Sequence, residues 1–473
     1  MGEEVLTQGV AKQCPIYWDC PLNIGGLEPD SITKLFDEDL VQLLQPLALA
    51  SDNGRAFKKN RITGPLFFGK LTDQVEQRVR NLKIFLRQVD LISRQQKNLE
   101  PILRFEALGG DSHNGGRRPL LLQFNHRPMV LKFADPRPHQ LLCELLSALS
   151  GGIGVDLRPP SVLADVNHQW YLMPFLDSGV SEDMQMANAC MYALGALTAV
   201  AYALRFVDLH LENIVISDGK PVIIDPECIF YNFVPDVPVD RLLSTGLLSH
   251  NPSLSALRGG DVSQQSFIQL DVHQRLDGKF DYNKPVQAFH NRFIAKDNVR
   301  ADPANYRSEL LGGFVNAYLW LIKYSDEVSD ILNKWVQDDF RIRYLVRKTR
   351  LYATVMHMLN LPMSWSYEAW RDHIFSQLRR SGHFPQTLSE QTIQAECHDL
   401  ENRDIPHFWL VAGEPVIQHA TGRCQGISWK RPVLAQARLD VKRLCRSDLT
   451  LQTDILMNFL DKNLDGSINP NGQ

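Results

Sequence analysis

The sequence predicts an α+β fold, mostly α, built from two or three subdomains. Three observations carry that expectation. The chain has 473 residues, more than one ordinary core holds. Several long stretches repeat apolar residues at the helical period. Residues 120–133, 170–176 and 214–224 instead hold short β-branched or apolar runs bounded by turn signals. The expected organisation is a helical region over 1–100, a β-rich lobe over 101–180, a mostly helical lobe over 181–445, and a C-terminal helix and tail over 446–473.

In the first region, Asp30-Ser31 is a capping signal for a helix carrying Ile32, Leu35, Phe36, Leu40, Leu43 and Leu44. A second helix is expected from about Asp73 to Ser93, with Val75, Val79, Leu82, Phe85, Leu86 and Val89 on one face. This region shows no chemical constellation and reads as a scaffold or a partner surface. The β-rich lobe opens on a polar, glycine-rich turn, Leu108 to Arg117. Strands are expected at Leu120–Phe124 and Met129–Phe133, and again at Trp170–Leu176. Lys132 interrupts the apolar second strand. An edge strand with its amine in water is one explanation, and contact with nucleotide phosphates is the other. Gly115, Gly116 and their neighbours would let backbone N–H groups approach phosphate. Gly151-Gly152-Ile153-Gly154 reads as a loop.

The stretch Val207–Phe230 organises the rest. Asp208, His210 and Asn213 lie close together. Ile214–Ile216 and Val222–Ile224 are β-branched runs joined by a turn containing Asp218-Gly219, a hairpin signal. The hairpin should return Asp225 to Asn213. A carboxylate, an amide oxygen and a second carboxylate then converge, as hard divalent cations with phosphate ligands require. Asp208 and Asn213 have the spacing of the kinase catalytic loop, and a strand pair leads to a metal-holding Asp. Asp208 would contact an acceptor hydroxyl. The apolar stretch Ala187–Leu204 reads as a buried helix supporting this loop.

Residues 231–305 are irregular and could cover an acceptor. Helices are expected at Glu309–Tyr324 and from about Val328 to Met358. In the second, Arg343, Arg347 and Arg350 would share a face, either a solvated basic surface or a phosphate-binding one, with Thr349 beside them. Asp461 to Ile468 resembles half of an EF-hand loop. Gly472 stands where the bidentate Glu belongs, so tight Ca²⁺ binding is not expected.

The balance of 50 basic and 54 acidic residues, a net charge of −4, gives no case for nucleic acid or an anionic membrane. Eight scattered cysteines without a C-x-x-C pair, and no secretory signal, fit a reduced, cytoplasmic protein.

Together the motifs resemble the dehydratase domain of class II lanthipeptide synthetases. Gly110-Asp111-Ser112-His113-Asn114-x-Gly116-Arg117 is similar to the family's G-D-x-H-x-x-G-R segment. Lys132 falls at the lysine of its Y-K-P-R strand, although L-K-F-A stands here. D-L-H-L-E-N from Asp208 with Ile224-Asp225-Pro226-Glu227 resembles D-x-H-x-E-N and I-D-x-E. Arg343 and Thr349 match the R-x-x-x-x-x-T spacing, and Glu396 through Asp404-Ile405-Pro406-His407-Phe408 resembles E…D-I-P-x-F. The resemblance covers about residues 100–410.

It implies a two-lobed, lipid-kinase-like core with additional helices. It also implies ATP- and Mg²⁺-dependent phosphorylation of Ser or Thr in a precursor peptide, followed by phosphate elimination. Lys132, Gly115, Gly116 and Arg117 would hold ATP, and Asn213, Asp225 and Glu227 the metal. Asp208 and His210 would serve transfer, Arg343 and Thr349 elimination, and Asp111 and His113 either step. No zinc-ligand cluster of the family's cyclase domain is present, so cyclisation is not expected here, and a separate cyclase is a candidate partner beside the precursor peptide. The alternatives are a stand-alone kinase for a protein or small molecule, and a pseudo-enzyme that binds a partner.

Overall fold

The computed structural model describes residues 27–36, 65–95, 102–108, 112–125, 127–177, 184–210, 212–231, 240–249, 256, 294–295, 299–300, 306–347, 349–359, 367–380, 388–402, 404–428 and 431–462. The fold is mixed α+β. Residues 29–36 are helical, so Asp30 and Ser31 sit inside the first turn instead of capping it. The Ser31 hydroxyl donates to Glu28 and accepts the Phe105 N–H, tying this helix to the first strand.

Helix α1 (Pro65–Gln95) buries Val79, Leu82, Phe85, Leu86 and Val89, the stripe its periodicity predicts. They pack against a five-stranded antiparallel sheet in the order β1-β2-β3-β5-β4. Its strands are β1 (Arg104–Ala107), β2 (Leu120–Gln123), β3 (Pro128–Lys132), β4 (Leu163–Ala164) and β5 (Tyr171–Pro174). Because β3 is flanked on both sides, Lys132 is on an interior strand and 8% exposed, which removes the edge-strand explanation. Helix α2 (Arg137–Ile153) follows β3 and includes Gly151-Gly152; the expected glycine loop is its C-terminal turn, with Gly154 at φ 73 as the left-handed cap.

The larger core is organised on α3 (Met184–Ala203), whose Met186–Ala203 window is long and apolar enough to cross a membrane but is 78% buried inside the protein. It lies directly on α4 (Arg307–Lys323). A β-carbon at Gly313 would meet the Tyr192 carbonyl at 1.9 Å, so the absence of side chains there lets the two backbones touch. Hairpin β6 (Ile214–Ser217) and β7 (Lys220–Ile223) packs beside α3, and β8 (Ile294–Ala295) and β9 (Val299–Arg300) form a small ribbon.

The helix expected from Val328 to Met358 is a correction. The chain forms α5 (Ser325–Trp335), strand β10 (Arg341–Tyr344) and α6 (Thr349–Leu359). Phe340, Ile342 and Tyr344 are buried at alternate positions, a period of two that outweighs the arginine spacing. Arg343 and Arg347 therefore share no helix face. Helices α7 (Tyr367–Arg380) and α8 (Glu390–Glu401) follow. Strands β11 (Phe408–Val411), β12 (Glu414–His419) and β13 (Gly422–Ser428) extend β10 into a second antiparallel sheet within the region expected to be mostly helical. Helices α9 (Val433–Arg443) and α10 (Arg446–Lys462) complete the described chain. The EF-hand-like stretch after Lys462 and most of 231–305 lie outside the described residues.

Candidate active site

The hairpin forms with the expected pairing, Ile214 against Ile223 through Ser217 against Lys220. Asp218 and Gly219 have φ of 50 and 73, the two left-handed residues of a tight hairpin turn. The Ile224 N–H then donates to the Asn213 carbonyl at 3.0 Å, which brings Asp225 back beside the loop.

That loop is tightly constrained. Asp208 has φ 66, a left-handed conformation that Asp tolerates better than most residues. Asn213 Nδ2 donates to the Asp208 carbonyl at 2.8 Å. His210 Nδ1 accepts the Glu212 N–H at 3.3 Å, which turns Nε2 toward the Asp208 carboxylate, 3.6 Å away. The Leu209 N–H donates to Thr245. Gly246, at φ 90, lies under the same loop; a β-carbon there would come within 2.7 Å of the Leu209 backbone. Sequence reasoning missed Gly246, since no local motif links it to the loop.

Lys132 reaches across from the first sheet. Its amine donates to the Ile224 carbonyl at 2.8 Å and lies 3.2 Å from Asp225. Two residues on, Glu227 forms an ion pair with Arg343, and the Arg343 N–H donates to the Glu227 carbonyl at 2.9 Å. Arg343 Nη2 also donates to His113 Nε2 at 3.1 Å. Lys132 with Asp225, and Glu227 with Arg343 and His113, are two bonded groups that the backbone from 225 to 227 joins into one polar chain, assembled from the first sheet, the segment after the hairpin, β10 and the glycine-rich turn.

Electrostatics fix the charge states along this chain. Burial opposes the Arg343 cation, but the negative groups around it, Glu227 first, outweigh burial and hold it protonated. Burial pushes the Glu227 carboxyl up, and the Arg343 charge pulls it back. His113 is pushed down to about 3 by burial and by Arg343, against the Ile405 carbonyl, so its ring is neutral.

Two expectations change. The Gly115 and Gly116 N–H groups are not presented to a phosphate. Both donate to the Asp404 carboxylate, at 2.6 and 3.3 Å. Their φ values, 86 and 93, and their closeness to Asn81 and Arg78 of α1 explain the glycines through packing. Arg117 closes the same turn by pairing its backbone with His113. Thr349 opens α6, and among the described residues no hydrogen bond of the polar chain reaches it. Asp111 lies outside the described residues.

Among the described residues no group of three or more His, Cys, Asp or Glu is placed to hold a metal. Asn213 and Asp225 each carry a side-chain oxygen, and the Ile224–Asn213 backbone bond brings the two residues together; such oxygens suit a hard cation that takes its other ligands from phosphate and water. Glu227 does not fit as a third ligand while it is paired to Arg343.

A family model described as "Domain of unknown function (DUF4135)" matches residues 70–410. The chain belongs to that family. All the polar groups just described fall inside the DUF4135 match. A curated relative, the Lacticin 481/lactococcin biosynthesis protein LcnDR2 of Lactococcus lactis subsp. lactis, is 25% identical over 272 residues, 52% of this chain and 29% of that protein. The match therefore spans less than a third of the relative's length. Together the two similarities make this DUF4135 protein class II lanthipeptide synthetase-like.

Proposed function

We propose that the chain is a lanthipeptide-modifying enzyme: a peptide dehydratase that phosphorylates Ser or Thr of a precursor peptide with ATP and then eliminates phosphate. The reading places a kinase-like, two-lobed core around the polar chain, in the cytoplasm, with any ring closure left to a separate cyclase. One observation carries it. A buried lysine from an interior strand meets the carboxylate that a hairpin returns to an Asp-x-His-x-x-Asn loop, at 3.2 Å. Phosphoryl transfer needs a phosphate-contacting lysine and a metal-holding aspartate at one place, and these two side chains meet there.

In the first step Lys132 leaves Asp225 for the phosphate oxygens. Asp225 and Asn213 would hold Mg²⁺, which when bound neutralises phosphate charge. Asp208, oriented by His210 and Asn213, accepts the hydroxyl proton of the peptide. The hydroxyl oxygen bonds to the γ-phosphorus as the bridge to ADP breaks. In the second step a base takes the α-proton, the Cβ–O bond breaks, and phosphate departs. Arg343 faces the departing dianion with its fixed positive charge. Gly115 and Gly116 take no part in phosphate binding here, because Asp404 holds their N–H groups.

The test is mass measurement of a precursor peptide incubated with ATP and Mg²⁺. Asp208→Ala is expected to abolish modification, and Arg343→Ala to accumulate phosphopeptide. Dehydrated product from Arg343→Ala at the parent rate would remove elimination from this residue. A stand-alone kinase is the second reading, favoured by the engagement of Arg343 with Glu227 and His113. It predicts a product that gains a phosphoryl group and never loses water.

A further inference from the structure

One densely bonded, buried carboxylate near the site is not used by the reaction above. Asp404 is 1% exposed. It accepts from Arg78 Nη1 at 2.6 Å, Ser112 Oγ at 2.8 Å, Gly115 N at 2.6 Å and Gly116 N at 3.3 Å. The next residue continues the contact. The Ile405 N–H donates to the Ser112 carbonyl at 2.8 Å, and the Ile405 carbonyl stands 2.7 Å from His113 Nδ1. From behind, the Asp404 N–H donates to the Asp399 carbonyl at 2.9 Å. The Asp399 carboxylate accepts from the His407 N–H at 3.1 Å and from His419 Nε2 at 2.8 Å.

The bonds to His113 leave no choice of tautomer. A carbonyl only accepts, so Nδ1 carries the proton. A guanidinium only donates, so Nε2 offers its lone pair to Arg343. Both partners are in place only while the 112–117 turn is fastened to the 404–405 segment. We propose that Asp404 is a positioning residue: its carboxylate clamps the glycine-rich turn and thereby holds His113 as the Nδ1–H tautomer, with Nε2 against Arg343. Its importance for elimination rests on the function proposed above. The tautomer itself does not.

Asp404→Asn keeps the size but sets an NH₂ group among donors, so either Arg78 or the glycine N–H groups lose their acceptor. Arg78→Met with Asp404→Asn removes both buried charges and avoids stranding one, so this double variant is expected to fold. The readout is the two-bond proton–nitrogen spectrum of the full chain labelled with ¹⁵N-histidine, with His113 assigned by its loss in His113→Gln. The parent should show a single neutral Nδ1–H pattern for His113, unchanged from pH 7.5 to 5.5 by the condition chosen for the scan, about the range over which free imidazole titrates. Both variants, folded by circular dichroism, should show exchange between tautomers. With precursor peptide they should slow elimination about tenfold relative to phosphorylation while peptide KM stays within about twofold, the expected pattern when an interaction made only in the transition state is lost. A parent-like His113 pattern in either folded variant overturns the proposal. A parent protein that never modifies the peptide overturns the functional reading and leaves the spectrum to decide the clamp.

Discussion

Arg343 and His113 share one hydrogen bond and oppose each other electrostatically. This has a measurable pH consequence. The unfolded chain binds the His113 proton near 6.5 and the folded chain near 3. Between those values the unfolded state holds more protons, so stability falls as pH drops through this window and is unaffected by His113 above it. Urea midpoints of the parent should therefore fall more steeply from pH 7 to 4 than those of His113→Gln, a difference of order 1 kcal/mol or more. At Lys132 the expectation concerns catalysis. Lys132→Met strands Asp225 and removes the proposed phosphate contact, and should lower phosphopeptide formation about 10²-fold or more at saturating peptide. A parent-like rate for that variant would remove the lysine from the reaction. Asp208→Asn keeps the left-handed loop but cannot take a proton, and should cost about 10²- to 10⁴-fold in phosphorylation.

At the scale of the element, the glycine beneath the Asp208–His210 backbone is the sharpest test of geometry. Gly246→Ala sets a methyl 2.7 Å from the Leu209 backbone at φ 90. It should displace Asp208 and His210, lowering kcat by about 10²-fold through misplacement alone, with a smaller loss in melting temperature. The hairpin and β2, β3 and β5 were legible in the sequence because their signals are local: β-branched runs, alternation and an Asp-Gly turn. Strand β10 was not. Arg343, Arg347 and Arg350 fall at helical spacing, and the alternation of Phe340, Ile342 and Tyr344 is only three positions long. Pairing with β11, far along the chain, decides between the two. The Arg343 N–H bonds to the Glu227 carbonyl, so the residue's setting is fixed by a contact its helical spacing did not announce.

Across the whole molecule, the parts of the site that escaped sequence reading are those made by contacts distant in the chain. Helix α1 showed no chemistry of its own, yet its Arg78 grips Asp404, 326 residues away. Nothing local announces such a pair. A second brace joins the first sheet's side to β10. Arg137 donates to Asp135 and Asp339 and lies over Phe340, while the Arg341 N–H donates to Asp135. Arg137→Met leaves Asp135, 3% exposed at its side chain, without its cation. That should destabilise the protein by about 3–5 kcal/mol, the usual cost of removing one partner from a buried pair, read as a shift in the chemical denaturation midpoint. A midpoint equal to the parent's would show that the brace contributes nothing.

The two-residue turn at Asp218-Gly219 also governs how this protein can vary in length. Asn213 and Asp225 sit just outside the ends of paired strands in fixed register. One residue added within either strand would invert every side chain beyond it and send the returning carboxylate to the opposite face. Viable insertions and deletions here must therefore come in even steps or be confined to the tip. A parity constraint of that kind can be checked by counting the paired strand residues between each of the two positions and the turn in any functional homologue.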